Sequence, residues 1–345
     1  MSRVLLVSSN HEDYLADALL HGLRGLLGDR VLDYPKAEHM YSSASPALLA
    51  RVRGNAFTLY GLLADEPMDR DHVLWRALDH EFELVVFADI WRSFGLWTEW
   101  APQLRRAGVA MAVIDGADRV EPYPFAGVWW RVRPWWFLPR AHNRAHYFKR
   151  EITPWTRWFA SYLMLPPRLG RGLGLRPISF AIPAEKIVDR LPAKDQEFPR
   201  QIVDAELAAR LGHQTGYAFA DEAAYRADLQ RSRFGVTTKR AGWDALRHYE
   251  IAANGAVPCF RDLHRKPAGC GPHGLDGSNA VSYRDAGDLL AKIAAIDERR
   301  YGELQQGALR WARANTTVAR ARELLDACEI PVAPPSPPNG LSCDV

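Results

Sequence analysis

The chain has 345 residues, 48% of them hydrophobic and 25% charged, so it is long enough for two domains of ordinary size and has no compositional sign of global disorder. Its formal net charge is only +3, from 44 Lys and Arg against 41 Asp and Glu, which argues against a general attraction to nucleic acid unless basic residues cluster. The four cysteines form no CxxC pair, so neither a disulfide framework nor a structural zinc site is indicated.

Short apolar runs alternate with helical patterns through roughly the first half of the chain. RVLLVSS, RVLDYP, FELVVFAD and VAMAVIDG each end in polar residues, which is the pattern of strands buried in a parallel sheet. DYLADALLHGLRGLLG and EWAPQLRRAG, which lie between them, have the spacing of amphipathic helices. This order predicts a Rossmann-like α/β domain over residues 1–180.

A second series follows the Gly- and Arg-rich LPPRLGRGLGLRP and predicts another Rossmann-like domain over residues 181–330. It contains the helix-like DAELAARLG and DEAAYRADLQRS and the strand-like FGVTT and AVPCF. We therefore expect an α/β protein in which two Rossmann-like domains face a central cleft, with ligands outside the carboxyl ends of the strands. The Pro-rich tail, residues 331–345, is predicted to be disordered.

No segment has the character of a targeting or membrane-spanning sequence. The apolar run near the N-terminus is too short for the core of a signal peptide. No stretch reaches the roughly 18 to 20 apolar residues that a spanning helix needs. We expect a cytoplasmic protein.

Residues 122–150 combine cations with tryptophans and contain no acid. The six cations are Arg131, Arg133, Arg140, Arg144, Lys149 and Arg150, and the tryptophans are Trp129, Trp130, Trp135 and Trp136. Such a mixture suits a membrane surface, sugar stacking or single-stranded nucleic acid, whereas Trp packing over the sheet is the structural alternative. We expect the stretch to border the acceptor side of the cleft, with membrane-surface contact through residues 129–158 at the inner membrane face.

The segment GWDALRHYEIAAN has the length and composition of a helix closed by Gly255, and it lies between two strand-like runs. At about 100° per residue, one of its faces is apolar and a neighbouring stripe is polar. The apolar face comprises Leu246, Tyr249 and Ala253, and the polar stripe comprises Asp244, Arg247, Glu250 and Asn254. One face can pack on a sheet while the other lines a cleft.

The polar residues around this helix suit a nucleotide-sugar donor. Lys239 and Arg240 precede a helix start expected near Gly242, and cations beside unpaired backbone N–H groups suit a diphosphate. Glu250 can accept hydrogen bonds from vicinal hydroxyls such as those of a ribose. A surface helix whose charged side chains pair with each other is the alternative, and helical spacing leaves both interpretations open.

HYEIAANGAVPCF resembles the acidic helix of glycosyltransferases with the GT-B fold. The order YFKRE, PISFAIP and SRFGVTTKRAGWDALRHYEIAANGAVPCF is similar to bacterial group 1, CgeB-like or exostosin-like glycosyltransferases. The resemblance implies Glu250 as the ribose ligand and Lys239, with Arg240 or Arg247, as the pyrophosphate ligands. It places His248 near the sugar or a phosphate, with packing against a neighbour as the alternative. Gly242 stands where these families commonly have a first Glu, which leaves the sugar-contacting role unassigned.

Sugar transfer with inversion needs a base that takes the proton of the acceptor hydroxyl. Acids that follow parallel strands point toward the crevice. Asp115 is our first candidate, because it ends a buried strand and precedes a Gly. Asp13 and His11, after the first strand, follow it, although Asp13 could instead cap the next helix.

These observations predict a glycosyltransferase that moves a sugar from a nucleotide-diphosphate sugar to the hydroxyl of a saccharide or lipid-linked acceptor, in cell-envelope polysaccharide or glycoconjugate synthesis. We expect no cofactor beyond the donor, and no metal, since the only DxD triplet, DRD at Asp69 and Asp71, resembles a solvated turn. A nucleotide-sugar epimerase on the same scaffold and a non-catalytic membrane or nucleic-acid binding module are the alternatives. Nucleic acid is not expected as a partner of the enzyme.

Overall fold

The fold is taken from a computed structural model, which describes residues 2–9, 11–123, 145–157, 175–216 and 218–332. The tryptophans of residues 129–136, Trp158, and the predicted tail from residue 333 onward lie outside these ranges.

The first half of the chain builds a six-stranded parallel sheet of strand order β2-β1-β3-β4-β5-β7. Its strands are β1 (Val4–Val7), β2 (Val31–Tyr34), β3 (Leu84–Phe87), β4 (Ala110–Asp115), β5 (His146–Lys149) and β7 (Leu175–Pro177). The helices of this half are α1 (Tyr14–Leu27), α2 (Pro46–Leu49), α3 (Val73–Leu78) and α4 (Ile90–Ala107). The predicted alternation of strands and helices is confirmed.

The buried strands divide their side chains between two core layers because successive residues of a strand point to opposite faces of a sheet. Val4 and Leu6 of β1 belong to the layer that contains α1, and Leu5 and Val7 to the layer that contains α4. The first sheet is therefore covered on both faces, as expected for apolar runs without alternation.

The second half builds a smaller parallel sheet of strand order β11-β9-β8. Its strands are β8 (Phe234–Thr237), β9 (Val257–Arg261) and β11 (Val281–Tyr283), and a separate antiparallel pair joins β6 (Glu151–Ile152) to β10 (Gly269–Cys270). The helices are α5 (Ala205–Leu211), α6 (Glu222–Arg231), α7 (Leu246–Ala253), α8 (Ala286–Ala294), α9 (Glu298–Ala314) and α10 (Thr317–Ala327).

Helix α7 lies directly on the second sheet. A Cβ on Gly235 in β8 would be 2.6 Å from the side chain of Ile251, so the glycine is what permits this close approach. The other side of α7 packs on α9, where the rings of Tyr249 and Trp311 are 4.8 Å apart. Packing on both sides fixes α7 relative to the end of β8.

The last helix crosses back to the first half of the chain. His21 Nδ1 lies 2.9 Å from the hydroxyl of Thr317, and a Cβ on Gly22 would collide with the Thr317 carbonyl, so α10 packs closely on α1. Ile182 exchanges backbone hydrogen bonds with Asn315 and Thr317. The division into residues 1–180 and 181–330 stays a prediction. None of the helices in the described part of the chain combines the length and hydropathy that a membrane span requires.

Candidate functional site

A cavity of about 390 Å³ lies between the two halves at the carboxyl end of β8. Tyr14, Gly54 and Phe57 of the first half line one side of it. The opposite side is formed mainly by the end of β8, the start of α7 and α6, and its lining includes Thr237, Arg240, Arg247, Tyr225 and Glu250. This is the position predicted for a ligand in a sheet of this kind.

Helix α7 begins at Leu246, so the prediction of a helix start near Gly242 is wrong. The Glu151 carboxylate holds the preceding loop in a non-helical turn, because its Oε1 accepts hydrogen bonds from the backbone N–H groups of Trp243 at 2.8 Å and Asp244 at 3.3 Å. The Asp244 carboxylate is buried and accepts from the backbone N–H of Phe180 at 2.7 Å. Burial raises the pKa of Asp244, and the attraction of Arg150 opposes that rise.

The N-terminus of α7 nevertheless reaches the cavity. Ala245, the residue before the helix, has an extended backbone, and no side chain caps the first turn. Ala245, Leu246 and Arg247 all line the cavity. Uncapped N–H groups and the helix dipole together favour an anion at this position.

Three cations surround this helix start. Arg240 and Arg247 line the cavity, whereas Lys239 is not among the lining residues, and its Nζ lies 5.8 Å from the centre of the Trp243 ring. None of the three takes part in a salt bridge within the described ranges. The cavity therefore has two cations beside the start of α7.

Glu250 lies further along α7 and faces the same cavity. Its Oε1 accepts a hydrogen bond from the Thr58 hydroxyl at 2.6 Å, and its Oε2 accepts one from the Tyr225 hydroxyl at 2.7 Å. Each carboxylate oxygen is thus bound by one hydroxyl group.

His248 does not line the cavity, which contradicts its predicted contact with a sugar or phosphate. The ring is fully buried, with Nδ1 2.9 Å from the Thr237 hydroxyl and Nε2 2.9 Å from the Trp243 carbonyl oxygen. Since a carbonyl only accepts, Nε2 donates and Nδ1 accepts from Thr237. Burial lowers the pKa of His248 to about 3. The neutral ring fixes the end of β8 to the loop before α7.

Asp115 also differs from its predicted role as the base. Its carboxylate is fully buried and accepts four hydrogen bonds: from Trp91 Nε1 at 2.9 Å, Ala117 N at 3.2 Å, the Tyr147 hydroxyl at 2.6 Å and Lys149 Nζ at 3.1 Å. Four donors fill the lone-pair sites of a carboxylate. An acceptor hydroxyl therefore has no access to Asp115, which serves to pair the buried Lys149.

Asp13 caps α1, as the alternative interpretation predicted. Its Oδ1 accepts from the backbone N–H groups of Leu15 at 3.1 Å and Ala16 at 2.9 Å. The carboxylate is only half-buried, and the adjacent Tyr14 lines the cavity. A Cβ on Gly116 would be 3.4 Å from Asp13 Oδ1, so the segments that follow β1 and β4 lie in contact here. His11 is exposed beside it.

Asp89, at the end of β3, is a further acid that follows a buried strand. Its carboxylate accepts from Ser9 Oγ at 3.2 Å and Arg92 Nη1 at 3.1 Å, and its backbone has a φ of 50°. Burial and the nearby charge of Asp13 raise the pKa of Asp89 to about 6. The signal in the sequence was its position after a buried strand, which it shares with Asp115.

Thr58 and Glu151 are the residues that sequence reasoning missed most clearly. Thr58 lies in a segment without helical or strand periodicity, and its contact with Glu250 spans 192 positions. Glu151 belongs to the YFKRE motif, but its hydrogen bond to the loop before α7 joins residues 92 positions apart. Sequence spacing carries no information about either contact.

The cationic stretch is partly structural. Lys149 and Arg150 are buried, and their partners are Asp115 for Lys149 and Asp118, Glu151 and the Asp244 carbonyl for Arg150. Two of the six cations assigned to a membrane surface are therefore engaged inside the protein. Trp155 is 65% exposed.

No protein-family model matches the sequence, and no curated protein matches it. Several solved structures, by contrast, have a similar fold. Anabaena HepE in complex with UDP superposes with a TM-score of 0.56 and 10% identity, over 95% of this chain and 100% of the other. Sucrose-phosphate synthase from Thermosynechococcus elongatus gives 0.53 and 12%, over 94% and 98%, and a glycosyltransferase from Rickettsia africae gives 0.51 and 7%, over 95% and 98%. The protein therefore has the GT-B fold, as the sequence predicted.

Proposed function

We propose that the protein is a glycosyltransferase that uses a nucleotide-diphosphate sugar as donor. One observation carries the proposal: the uncapped start of α7, with Arg240 and Arg247, and the carboxylate of Glu250 line the same cavity. An anion site and an acceptor for vicinal hydroxyls on one helix match the diphosphate and ribose of a nucleotide. HepE, which shares the fold, was solved with UDP, with UDP-glucose, and with UDP and glucose.

The cavity residues suit the charge that develops during transfer. The bond between the anomeric carbon and the diphosphate oxygen breaks, and the electron pair stays on the diphosphate. Arg240, Arg247 and the N–H groups at the start of α7 are placed to stabilise this added negative charge. Lys239, next to Arg240 in the chain, adds a further cation.

Asp13 replaces Asp115 as the proposed base, with His11 as the second candidate. The acceptor oxygen forms the new bond to the anomeric carbon and gives its proton to the base. Asp13 is half-buried beside Tyr14, at the side of the cavity formed by the first half of the chain. The proposed acceptor is the hydroxyl of a saccharide or of a lipid-linked saccharide.

Isothermal titration calorimetry with UDP, GDP, ADP, CDP and TDP tests the donor class. At least one of these nucleotides should bind in the micromolar range, and the matching nucleotide sugar should release its diphosphate faster when saccharides are added. Binding of none of the five nucleotides would overturn the proposal. Formation of an epimerised nucleotide sugar without an acceptor would replace it by the epimerase alternative.

A further inference from the structure

A strap from the first half of the chain, residues 54–60, lies beside the cavity and contacts the second half at three points. Asn55 Nδ2 donates to the Phe219 carbonyl at 3.1 Å. The ring of Phe57 stacks on Tyr225, with centroids 5.9 Å apart and planes 24° apart. The Thr58 hydroxyl donates to Glu250 at 2.6 Å, and Thr58 is only 3% exposed. Gly54 and Phe57 line the cavity itself, so the strap forms part of its wall.

The backbone of the strap is strained. Asn55, Ala56 and Thr58 have φ values of 56°, 58° and 75°, which lie in the left-handed region. Asn adopts this region more readily than most residues, whereas Ala and Thr rarely do. A β-branched residue such as Thr58 is particularly unfavourable there. Such residues persist only when their surroundings hold them in place, and here the contacts with Phe219, Tyr225 and Glu250 do so.

The strap also leaves a buried polar group without a partner. Tyr60 is 7% exposed, and its hydroxyl makes no hydrogen bond with any residue that the structure describes. A buried donor without an acceptor is unfavourable. Strain and this unpaired hydroxyl both oppose the observed position of the strap, whereas its contacts with the second half favour it.

Thr58 occupies the carboxylate that the proposed function assigns to the donor ribose. The hydroxyls of Thr58 and Tyr225 approach Glu250 one on each oxygen, at 2.6 and 2.7 Å, which is how a vicinal diol would bind a carboxylate. Tyr225 belongs to α6 on the same side of the cavity as Glu250, whereas Thr58 comes from the opposite side on a strained segment. Thr58 is therefore the hydroxyl that a ligand can displace more easily.

We propose that residues 54–60 are a gate in which Thr58 competes with the vicinal diol of the donor for Glu250. The inference rests on the proposed nucleotide site and adds a specificity and access role that this site alone does not require. When a nucleotide binds, its diol takes Glu250, Thr58 is displaced, and the strap loses one of its three contacts with the second half. A ligand without a diol, such as inorganic pyrophosphate, leaves Thr58 in place.

Thr58→Val provides the central test, because valine keeps the β-branching and volume of threonine and removes only the hydroxyl. Titration calorimetry should show that Thr58→Val binds UDP, or whichever of GDP, ADP and CDP the wild type binds, about tenfold more tightly than wild type. Inorganic pyrophosphate should bind both proteins equally. Thr58→Ser, which keeps the hydroxyl, is the matched control and should stay close to wild type.

Asn55→Ala is an independent second variant, since Asn55 contacts Phe219 and not Glu250. Weakening the strap at this point should also tighten nucleotide binding, by several-fold. Thr58 could instead hold Glu250 in a productive orientation. In that case Thr58→Val will bind the nucleotide as tightly as wild type or more weakly, and Asn55→Ala will bind it with unchanged affinity. This outcome overturns the gate and leaves the nucleotide site intact. If wild type and variants bind pyrophosphate but no nucleoside diphosphate, the proposed function fails together with the gate.

Discussion

The carboxylate of Glu151 lies against the backbone of Gly242, so that a Cβ built on this glycine would be 2.5 Å from Glu151 Oε1. The same Cβ would be 2.5 Å from Asp118 Oδ1. A side chain at position 242 would therefore have to displace these carboxylates. Two carboxylates of the first half occupy the place instead, and Glu151 holds the loop that leads into α7.

Gly242→Ala should destabilise the protein by about 1 to 3 kcal/mol, because the added methyl group collides with the buried Glu151 carboxylate. Gly242 has no positive φ, so backbone strain does not contribute. Urea unfolding measures the change. Ala241→Ser, at an exposed neighbour, is the control and should be close to neutral. A wild-type midpoint for Gly242→Ala would show that the loop yields freely.

Asp115→Asn should lower the free energy of unfolding by about 3 to 5 kcal/mol, because it leaves the fully buried Lys149 without a counter-ion. Adding Lys149→Met to this variant should restore part of the loss, since both members of the pair are then neutral. Chemical denaturation of the single and double variants gives the comparison. Near-normal stability of Asp115→Asn with no transferase activity would return Asp115 to the role of base.

Asp13→Asn should reduce kcat by at least about 100-fold if Asp13 is the base, because an amide does not take a proton. Asn caps helices as well as Asp does, so the stability of α1 should be preserved. UDP binding should also persist. Retention of kcat in this variant would move the assignment to His11, for which His11→Asn is the corresponding test.

Arg247→Gln should weaken the binding of both UDP and inorganic pyrophosphate about tenfold, since it removes a cation from the anion end of the cavity. Glu250→Gln should weaken the binding of UDP but not of pyrophosphate. The amide of Gln has one acceptor oxygen, whereas the two hydroxyls of the diol need two, and this loss of affinity exceeds the gain from releasing Thr58. Calorimetry separates the two patterns. Arg299→Gln and Glu298→Gln, both exposed on α9, are matched controls of equal charge change. Equal losses in these controls would reveal a general charge effect.

The stability of the protein should fall as pH decreases below about 6.5, in part because His248 stays neutral in the folded state. Its pKa is lowered to about 3 by burial, so between these pH values the unfolded chain binds a proton that the folded chain does not. His248→Gln removes this contribution, and the stability difference between wild type and variant should shrink by at most about 1.4 kcal/mol per pH unit. Above pH 7 the difference should be constant. Urea titrations at several pH values measure it, and a constant difference down to pH 5 would contradict the assignment.

The boundaries of the helix that carries Glu250 show where local sequence information ends. Its C-terminal limit and its apolar face followed from GWDALRHYEIAANG, because helical periodicity and a closing glycine are local properties. The start of the helix did not follow from this segment. The Glu151 carboxylate accepts hydrogen bonds from the N–H groups of Trp243 and Asp244, and it thereby holds residues 242–245 in a non-helical turn. The predicted ligand contact of His248 was wrong for a related reason. The ring of His248 packs on that of Phe260, with centroids 4.5 Å apart, and the sequence of one helix does not reveal which neighbour covers each of its faces.

The sequence by itself determined the class of fold, the strand ends at which polar residues gather, and the cations and carboxylate that belong to one helix and the loop before it. Apolar runs and helical spacing express the burial of each element, so they can be recognised from neighbouring residues. The tertiary structure alone decided which acids are accessible. Asp115 and Asp13 both follow buried strands, but four donors enclose Asp115, whereas Asp13 stays partly exposed beside Tyr14, which lines the cavity. The contact between Thr58 and Glu250 has the same origin, since it depends on how the two halves of the chain pack and not on the pattern of either one.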